Sequence, residues 1–235
     1  MNKLFLDIET IPGDTENEET GKALKYLYER KLEKKAKRKE LSENVVFEVD
    51  GGKGKNNEEL RFEDYVRGTS FDGSFGRLLC VCLAVNDDAV KSYCNPDDEK
   101  KTLEQFWKVA GQCDLFVGHN VLDFDLRFLW QRSVILGVKP SWQHDDRNKS
   151  KYMSFARYQN KPIYDTMHEW VKWGRDSIGL EHVALALGLP TPKDGIDGSK
   201  VWDFYKAGKV KEICDYCARD VETTRGVYKR MIFES

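Results

Sequence analysis

The sequence predicts an α/β domain, a mixed five-stranded sheet flanked by helices. Three apolar, strand-like runs come first, over residues 3–8, 76–86 and 89–94. Two shorter ones, 114–117 and 163–165, then alternate with stretches of helical spacing, the pattern of a sheet covered by helices. With 235 residues, 40% hydrophobic and 33% charged, the chain is long enough for one such domain with a sizeable core.

The elements follow in order. Lys3 to Ile8 is a short apolar strand with polar flanks. Residues 14–70 differ: apolar clusters are few, a charged helical stretch runs over 20–41, and Gly51-Gly52-Lys53-Gly54 is soft. This region reads as an insertion on a single domain rather than a second core. Gly76 to Asn86 is strongly apolar; Asn86-Asp87-Asp88 supplies a turn, and Ala89 to Cys94 returns as the partner strand. A helix is expected over 97–112, with Leu103, Phe106, Trp107 and Ala110 at helical spacing. Helical periodicity resumes over 122–136, and from 167 onward glycines divide several helices, the last over 209–232. The polar, aromatic stretch 137–162 gives no periodic signal.

The net charge of −2 supplies no global basic field, so a polyanionic partner must be held by a local patch or by metal. No apolar run is long enough to span a membrane, and the N-terminus lacks the pattern of a secretion signal. The six cysteines fall mostly inside apolar runs and read as reduced, buried thiols. A cytoplasmic location is the expectation; the sequence names no protein partner.

Three acidic motifs stand in fixed order: Phe5-Leu6-Asp7-Ile8-Glu9-Thr10, Gly118-His119-Asn120-Val121-Leu122-Asp123-Phe124-Asp125, and Tyr216-Cys217-Ala218-Arg219-Asp220. Asp7 and Glu9, two apart on a strand, share one face. They repel each other there unless a cation lies between them. Asp125 follows a strand-to-helix turn in which Gly118 permits a tight backbone and Asn120 is a natural cap. Tyr216 and Asp220 stack one turn apart on a helix face, so the phenol can orient a water beside the carboxylate. Each motif alone also fits a plainer reading: a solvent-facing acidic pair, acids complementing a helix dipole, an ordinary amphipathic helix. Together, four carboxylates suit a pair of hard divalent cations. Two such ions about 3.5–4 Å apart clamp the attacking and leaving oxygens of a phosphodiester.

Taken together, the motifs resemble those of the DEDD superfamily of 3′–5′ exonucleases, whose fold is ribonuclease H-like. Tyr216, four residues before Asp220 where the sister branch has a histidine five before, resembles the tyrosine (DEDDy) branch. Asp-Ile-Glu, Gly-His-Asn-x-x-x-Phe-Asp and Tyr-Cys-x-x-Asp are most similar to the proofreading exonuclease of family-B DNA polymerases and its stand-alone relatives. The resemblance covers roughly 1–13 and 71–232, and leaves no room for a polymerase palm.

It implies a 3′–5′ exonuclease releasing nucleoside 5′-monophosphates from single-stranded ends, with two divalent cations, Mg²⁺ or Mn²⁺. Asp7, Glu9 and Asp220 would hold the nucleophile-side ion, Asp7 would bridge to the second, and Asp125 would support that second ion through water. Tyr216 would orient the attacking water. Thr10 and Ile11 would meet the terminal nucleotide, Ile11 as a wedge between bases, and Asn120 and Phe124 would line the same cleft. DNA is expected over RNA, although exoribonucleases of the ribonuclease D kind share the tyrosine branch. A non-catalytic nucleic-acid-binding module of the same fold is the rival.

Four other features compete for attention. The basic stretch from Lys22 to Lys39 has Leu24, Tyr28, Leu32 and Ala36 every four residues. It reads as a helix with one apolar stripe, either solvated or tracking a phosphate backbone. Cys214-x-x-Cys217 resembles half a zinc site, but no second pair at suitable spacing accompanies it. His144-Asp145-Asp146 reads as a surface turn. Tyr152, Phe155 and Tyr158, among basic residues, read as packing residues or a stacking platform for bases.

Overall fold

The structure, a computed structural model, describes residues 1–43, 61–141, 161–191 and 196–234. The His144 triplet and the Tyr152, Phe155 and Tyr158 group lie outside these residues.

The five strands are β1 (Lys3–Ile11), β2 (Arg77–Val85), β3 (Lys91–Cys94), β4 (Leu115–Gly118) and β5 (Ile163–Asp165). They form one mixed sheet in the order β3-β2-β1-β4-β5, with β1 at its centre. β1 runs antiparallel to β2 and parallel to β4, and β4 is parallel to β5. Around them lie α1 (Glu18–Glu43), α2 (Phe62–Gly68), α3 (Glu99–Ala110), α4 (Asp125–Leu136), α5 (Thr166–Trp170), α6 (Leu180–Ala186), α7 (Val201–Lys206) and α8 (Val210–Met231). Among the described residues, no helix is long and apolar enough to cross a membrane.

Strand alternation divides the core in two. Leu4, Leu6 and Ile8 of β1 pack with Leu103, Phe106 and Trp107 of α3 and with Leu126, Phe128 and Leu129 of α4. Phe5 and Ile11 face the other way, with Ile213, Cys217 and Val221 of α8 and Val201 of α7. Each such fully buried leucine or phenylalanine contributes about 1.5–3 kcal/mol by area. α3 starts at Asp98, whose side chain accepts from the Lys101 N–H. α4 stops at Gly137, in the left-handed region at φ +64°, where a side chain would strain the backbone. The buried Arg132 of α4 donates to Glu99 of α3 at 2.7 Å. Glu99 also accepts from the Leu78 N–H at the head of β2.

β1 continues to Ile11, three residues past the apolar run that marks it in the sequence. Opposite its end, Glu9 pairs with Cys80 and Thr10 with Leu78, leaving Leu79 as a bulge in β2. Such a bulge re-aims side chains at the end of a strand.

The 14–70 region packs against the main domain at its described ends. Leu24 of α1 is fully buried, Tyr28 and Leu32 are half-buried, and Ala36 is exposed. The apolar stripe therefore fades along α1, and residues 33–38 are exposed on every side. Tyr28 meets the rings of Phe62 and Tyr65 edge-on or tilted. Arg67 pairs with Asp203 of α7 at 2.8 Å.

Candidate active site

On the face of β1 that looks toward α8 lie Asp7 and Glu9; Glu9 is only 8% exposed. α8 brings Tyr216 and Asp220 over them, one turn apart and each also 8% exposed. The Tyr216 hydroxyl hydrogen-bonds to the Asp220 carboxylate. The Cys217 thiol donates to the main-chain oxygen of Asp7 at 3.4 Å.

Asp125 arrives from the first turn of α4, 3% exposed. β4 pairs with β1 only over Lys3–Phe5, so the ladder on that edge has ended before Ile8. Asp125 takes its place: Oδ1 accepts from the Ile8 N–H at 3.0 Å. The peptide between the two first-motif acids is thus fastened to the acid of the second motif.

The turn before α4 has its own support. A Cβ at Gly118 would lie 2.5 Å from Cβ of Val121, so no larger residue fits without displacing a buried valine. Asn120 adopts φ +60°, a conformation that asparagine tolerates better than most residues. It is not the helix cap expected from sequence: the cap position belongs to Phe124 and has no side-chain hydrogen bond. Instead the Asn120 and Leu122 N–H groups donate to the Asp165 carboxylate, each at 3.0 Å. Asp165, 1% exposed, also accepts from Met167 and His168 at the head of α5. His119 Nε2 donates to the Ile178 carbonyl at 2.7 Å, and Nδ1 accepts from the Thr166 hydroxyl at 2.9 Å. Burial holds its pKa below the usual histidine range, which suits this neutral tautomer. Asp123 turns away from Asp125 and pairs with His168 at 3.0 Å.

The electrostatics are those of acids crowded together out of water. Burial pushes Asp7 and Glu9 well above the usual carboxylate range, and the charges of Asp220 and Asp125 push further. Burial raises Asp125 to about 8, against the lowering effect of its backbone hydrogen bonds, including that from Ile8. Burial first, then the charges of Asp220, Glu9 and Asp7, drive the Tyr216 phenol far above its ordinary value. Among the described residues, neither Asp7 nor Glu9 pairs with a lysine or arginine. One ligand atom from each of Asp7, Glu9 and Cys217 lies within 4.8 Å of the others. Hard oxygen donors held close without a protein cation fit a divalent metal.

The remaining positions expected to meet substrate separate. Thr10 donates to the Ser70 carbonyl at 2.7 Å and lines a cleft of about 450 Å³ with Arg67, Phe71, Ser199 and Trp202. Phe124 faces Phe71, ring centroids 6.4 Å apart. Ile11 does not fit the wedge expected of it: its odd-numbered place on β1 turns it into the α8-side core, 2% exposed. Phe71, 64% exposed, has no signal in the sequence as a site residue; it borders the cleft and the ring of Phe124. Asp165 is marked in the sequence by its short strand and by the Tyr164-Asp165-Thr166 context of the resemblance, not as a site residue.

The chain is an α/β domain whose mixed five-stranded sheet carries close-set acidic side chains on its central strand. A family model described as a predicted 3′–5′ exonuclease related to the exonuclease domain of PolB matches residues 75–234, and the chain belongs to that family. Asp7 and Glu9 precede the matched stretch; the other two acids lie within it. Among solved structures, the chain is similar to the family B DNA polymerase from the hyperthermophilic archaeon Pyrobaculum calidifontis, with a TM-score of 0.60 and 14% identity. That likeness is one of fold. It covers 99% of this chain but only 24% of the polymerase. No curated protein matches the sequence.

Proposed function

We propose that the chain is a two-metal-dependent 3′–5′ exonuclease that releases nucleoside 5′-monophosphates from single-stranded DNA. In this reading 1–235 is one exonuclease domain, and 14–70 is an insertion upon it. The observation that carries it is the convergence of Asp7, Glu9, Asp125 and Asp220, with Tyr216, from three separate elements on one pocket.

Asp7, Glu9, Asp125 and Asp220 would hold two ions, Mg²⁺ or Mn²⁺. When bound, such ions lower the pKa of a water and offset charge on the leaving 3′-oxygen. The protein's own groups do the rest. Asp125 spends one oxygen on the Ile8 N–H, so its second is the one available to a ligand. Tyr216 keeps its proton at every working pH and serves as a hydrogen-bond partner for the attacking water, not as its base. Thr10 and the Phe71–Phe124 pair offer a polar contact and a stacking surface beside the cleft. Asn120 acts on substrate only through the turn it shapes.

The test is a 5′-labelled oligonucleotide digested with Mn²⁺ or Mg²⁺, in matched DNA and RNA forms. A ladder of shortened 5′-labelled products, lost in Asp7→Ala, is expected. No ladder with either ion defeats the reading, and a ladder on RNA alone replaces it with an exoribonuclease.

A further inference from the structure

Between Lys22 and Arg38, eight lysines and arginines stand against two glutamates, and all eight are exposed. The whole chain carries a net charge of −2, so the rest of it is acidic in balance. On α1 the cations fall into rows one turn apart: Arg30, Lys34 and Arg38, and beside them Lys31 and Lys35. Successive members of a row are about 6 Å apart along the axis. Like charges at that spacing weaken a helix. A helix kept only for its packing has no use for them, and from Glu33 to Arg38 nothing packs. A partner of opposite charge relieves the repulsion.

The position of α1 says which partner. The Thr10 hydroxyl donates to the Ser70 carbonyl at 2.7 Å, and the Gly13 N–H to the Thr69 hydroxyl oxygen at 2.9 Å. Both ends of the 14–70 insertion therefore meet at the cleft beside Thr10. Leu24, fully buried, packs on Gly13, where a Cβ would lie 3.2 Å from its Cδ1. Farther out, Lys31 Nζ lies 5.2 Å over the ring of Tyr65 in α2. At the other end of α2, Arg67 holds Asp203 of α7. The base of the helix is thus braced at the rim of the cleft, and its next turns stand in solvent.

We propose that the outer half of α1 is a docking arm for the phosphate backbone of the nucleic acid whose 3′ end enters the pocket. Lys34, Lys35, Lys37 and Arg38 supply its charge. The identity of the partner rests on the nuclease reading; the charge and the position of the arm do not. Such contacts hold a strand of any sequence and release its counterions. They also offset the acidic balance of the rest of the chain, which repels a polyanion. From Leu24 to Lys34 the helix advances about 15 Å. A trinucleotide seated in the pocket, at about 3.4 Å per stacked nucleotide, stops short of the arm; a longer strand reaches it.

The test reads binding, not cutting. Fluorescence anisotropy follows a labelled twenty-nucleotide oligothymidylate and a trinucleotide on the intact chain in the Asp7→Asn background, across a salt series. Lys34→Gln, Lys35→Gln, Lys37→Gln and Arg38→Gln are introduced together; glutamine forms helix about as well as lysine. On the twenty-mer the slope of log affinity against log salt should fall by about 2–3, at about 0.7 per phosphate contact. Affinity at low salt should drop by more than tenfold, while the trinucleotide binds both proteins alike. With those four residues intact, acetylation read by mass spectrometry should show Lys34, Lys35 and Lys37 shielded by the twenty-mer and not by the trinucleotide. That readout holds even if the substituted chain fails to fold. Equal slopes, or lysines acetylated equally with and without the twenty-mer, overturn the proposal and leave the basic face to an acidic protein. A ladder from Mn²⁺ digestion with equal slopes defeats the arm alone; a lowered slope without a ladder defeats the nuclease reading alone.

Discussion

Asp125 Oδ1 accepts the main-chain N–H of Ile8 at 3.0 Å, a bond between residues 117 apart in sequence. It fixes the second-motif carboxylate to the peptide that separates Asp7 from Glu9, where β4 no longer pairs with β1. Distances within the pocket are therefore set by backbone as much as by side chains.

Asp7→Asn removes one charge from that pocket and keeps its shape. Hydrolysis of a labelled single strand should fall by more than about a hundredfold, as expected when a metal ligand is lost. Thermal stability without metal should stay level or rise, because repulsion is relieved. A large fall in melting temperature would show that Asp7 supports the fold and not the reaction.

The raised carboxylates link stability to pH. Asp125, near 8 when folded against an ordinary value of about 4, binds more protons folded than unfolded. Stability is then full below about pH 4 for this group and declines as pH rises toward about 8. Asp7 and Glu9 act in the same direction. Denaturant midpoints measured in chelator should fall across this window, and Mn²⁺ should flatten the fall.

Tyr216→Phe keeps the ring in the α8-side packing and deletes its hydroxyl. Turnover should drop by about ten- to a hundredfold. The pH–rate profile should keep its shape, since burial keeps the phenol protonated. A lost alkaline limb in the variant would make the phenol a titrating base after all.

Phe71→Ala should leave stability within about 0.5 kcal/mol, because the ring is largely exposed. It should weaken binding of a single strand by about 1–3 kcal/mol if a base stacks there. Fluorescence anisotropy in the Asp7→Asn background separates binding from cleavage; unchanged affinity would remove Phe71 from the substrate path.

Asp165→Ala strips the acceptor from four N–H groups, two of them in fully buried bonds. A loss of about 3 kcal/mol in denaturant unfolding is expected, with activity falling as the Gly118–Phe124 turn loosens. Asp165→Asn, which keeps one acceptor oxygen, should recover part of both.

What could be read from the sequence was what depends on local pattern. The apolar runs at 3–8, 76–86 and 114–117 mark β1, β2 and β4 because buried central strands must be apolar. The convergence of Asp7, Glu9, Asp125, Tyr216 and Asp220 followed from motif order, through resemblance more than through physics. Features fixed by tertiary pairing escaped. Asp165 answers N–H groups on both sides of a chain crossing, which no window of sequence contains. Asn120 reads as a cap by composition, yet a positive φ turns its backbone to Asp165 instead. Ile11 looked available because β1 seemed to stop at Ile8; three more residues of strand send it into the core.

α8 reaches well beyond the pocket. Two turns past Asp220, Tyr228 rests edge-on against Phe5 and Tyr164, ring centroids 5.5 and 4.9 Å away. The same rod that carries an acid and a phenol at one end is therefore clamped to the central strand at the other. A small axial slip of this rod would move Tyr216 and Asp220 together, so the far aromatic contacts bear on the register of both residues against β1.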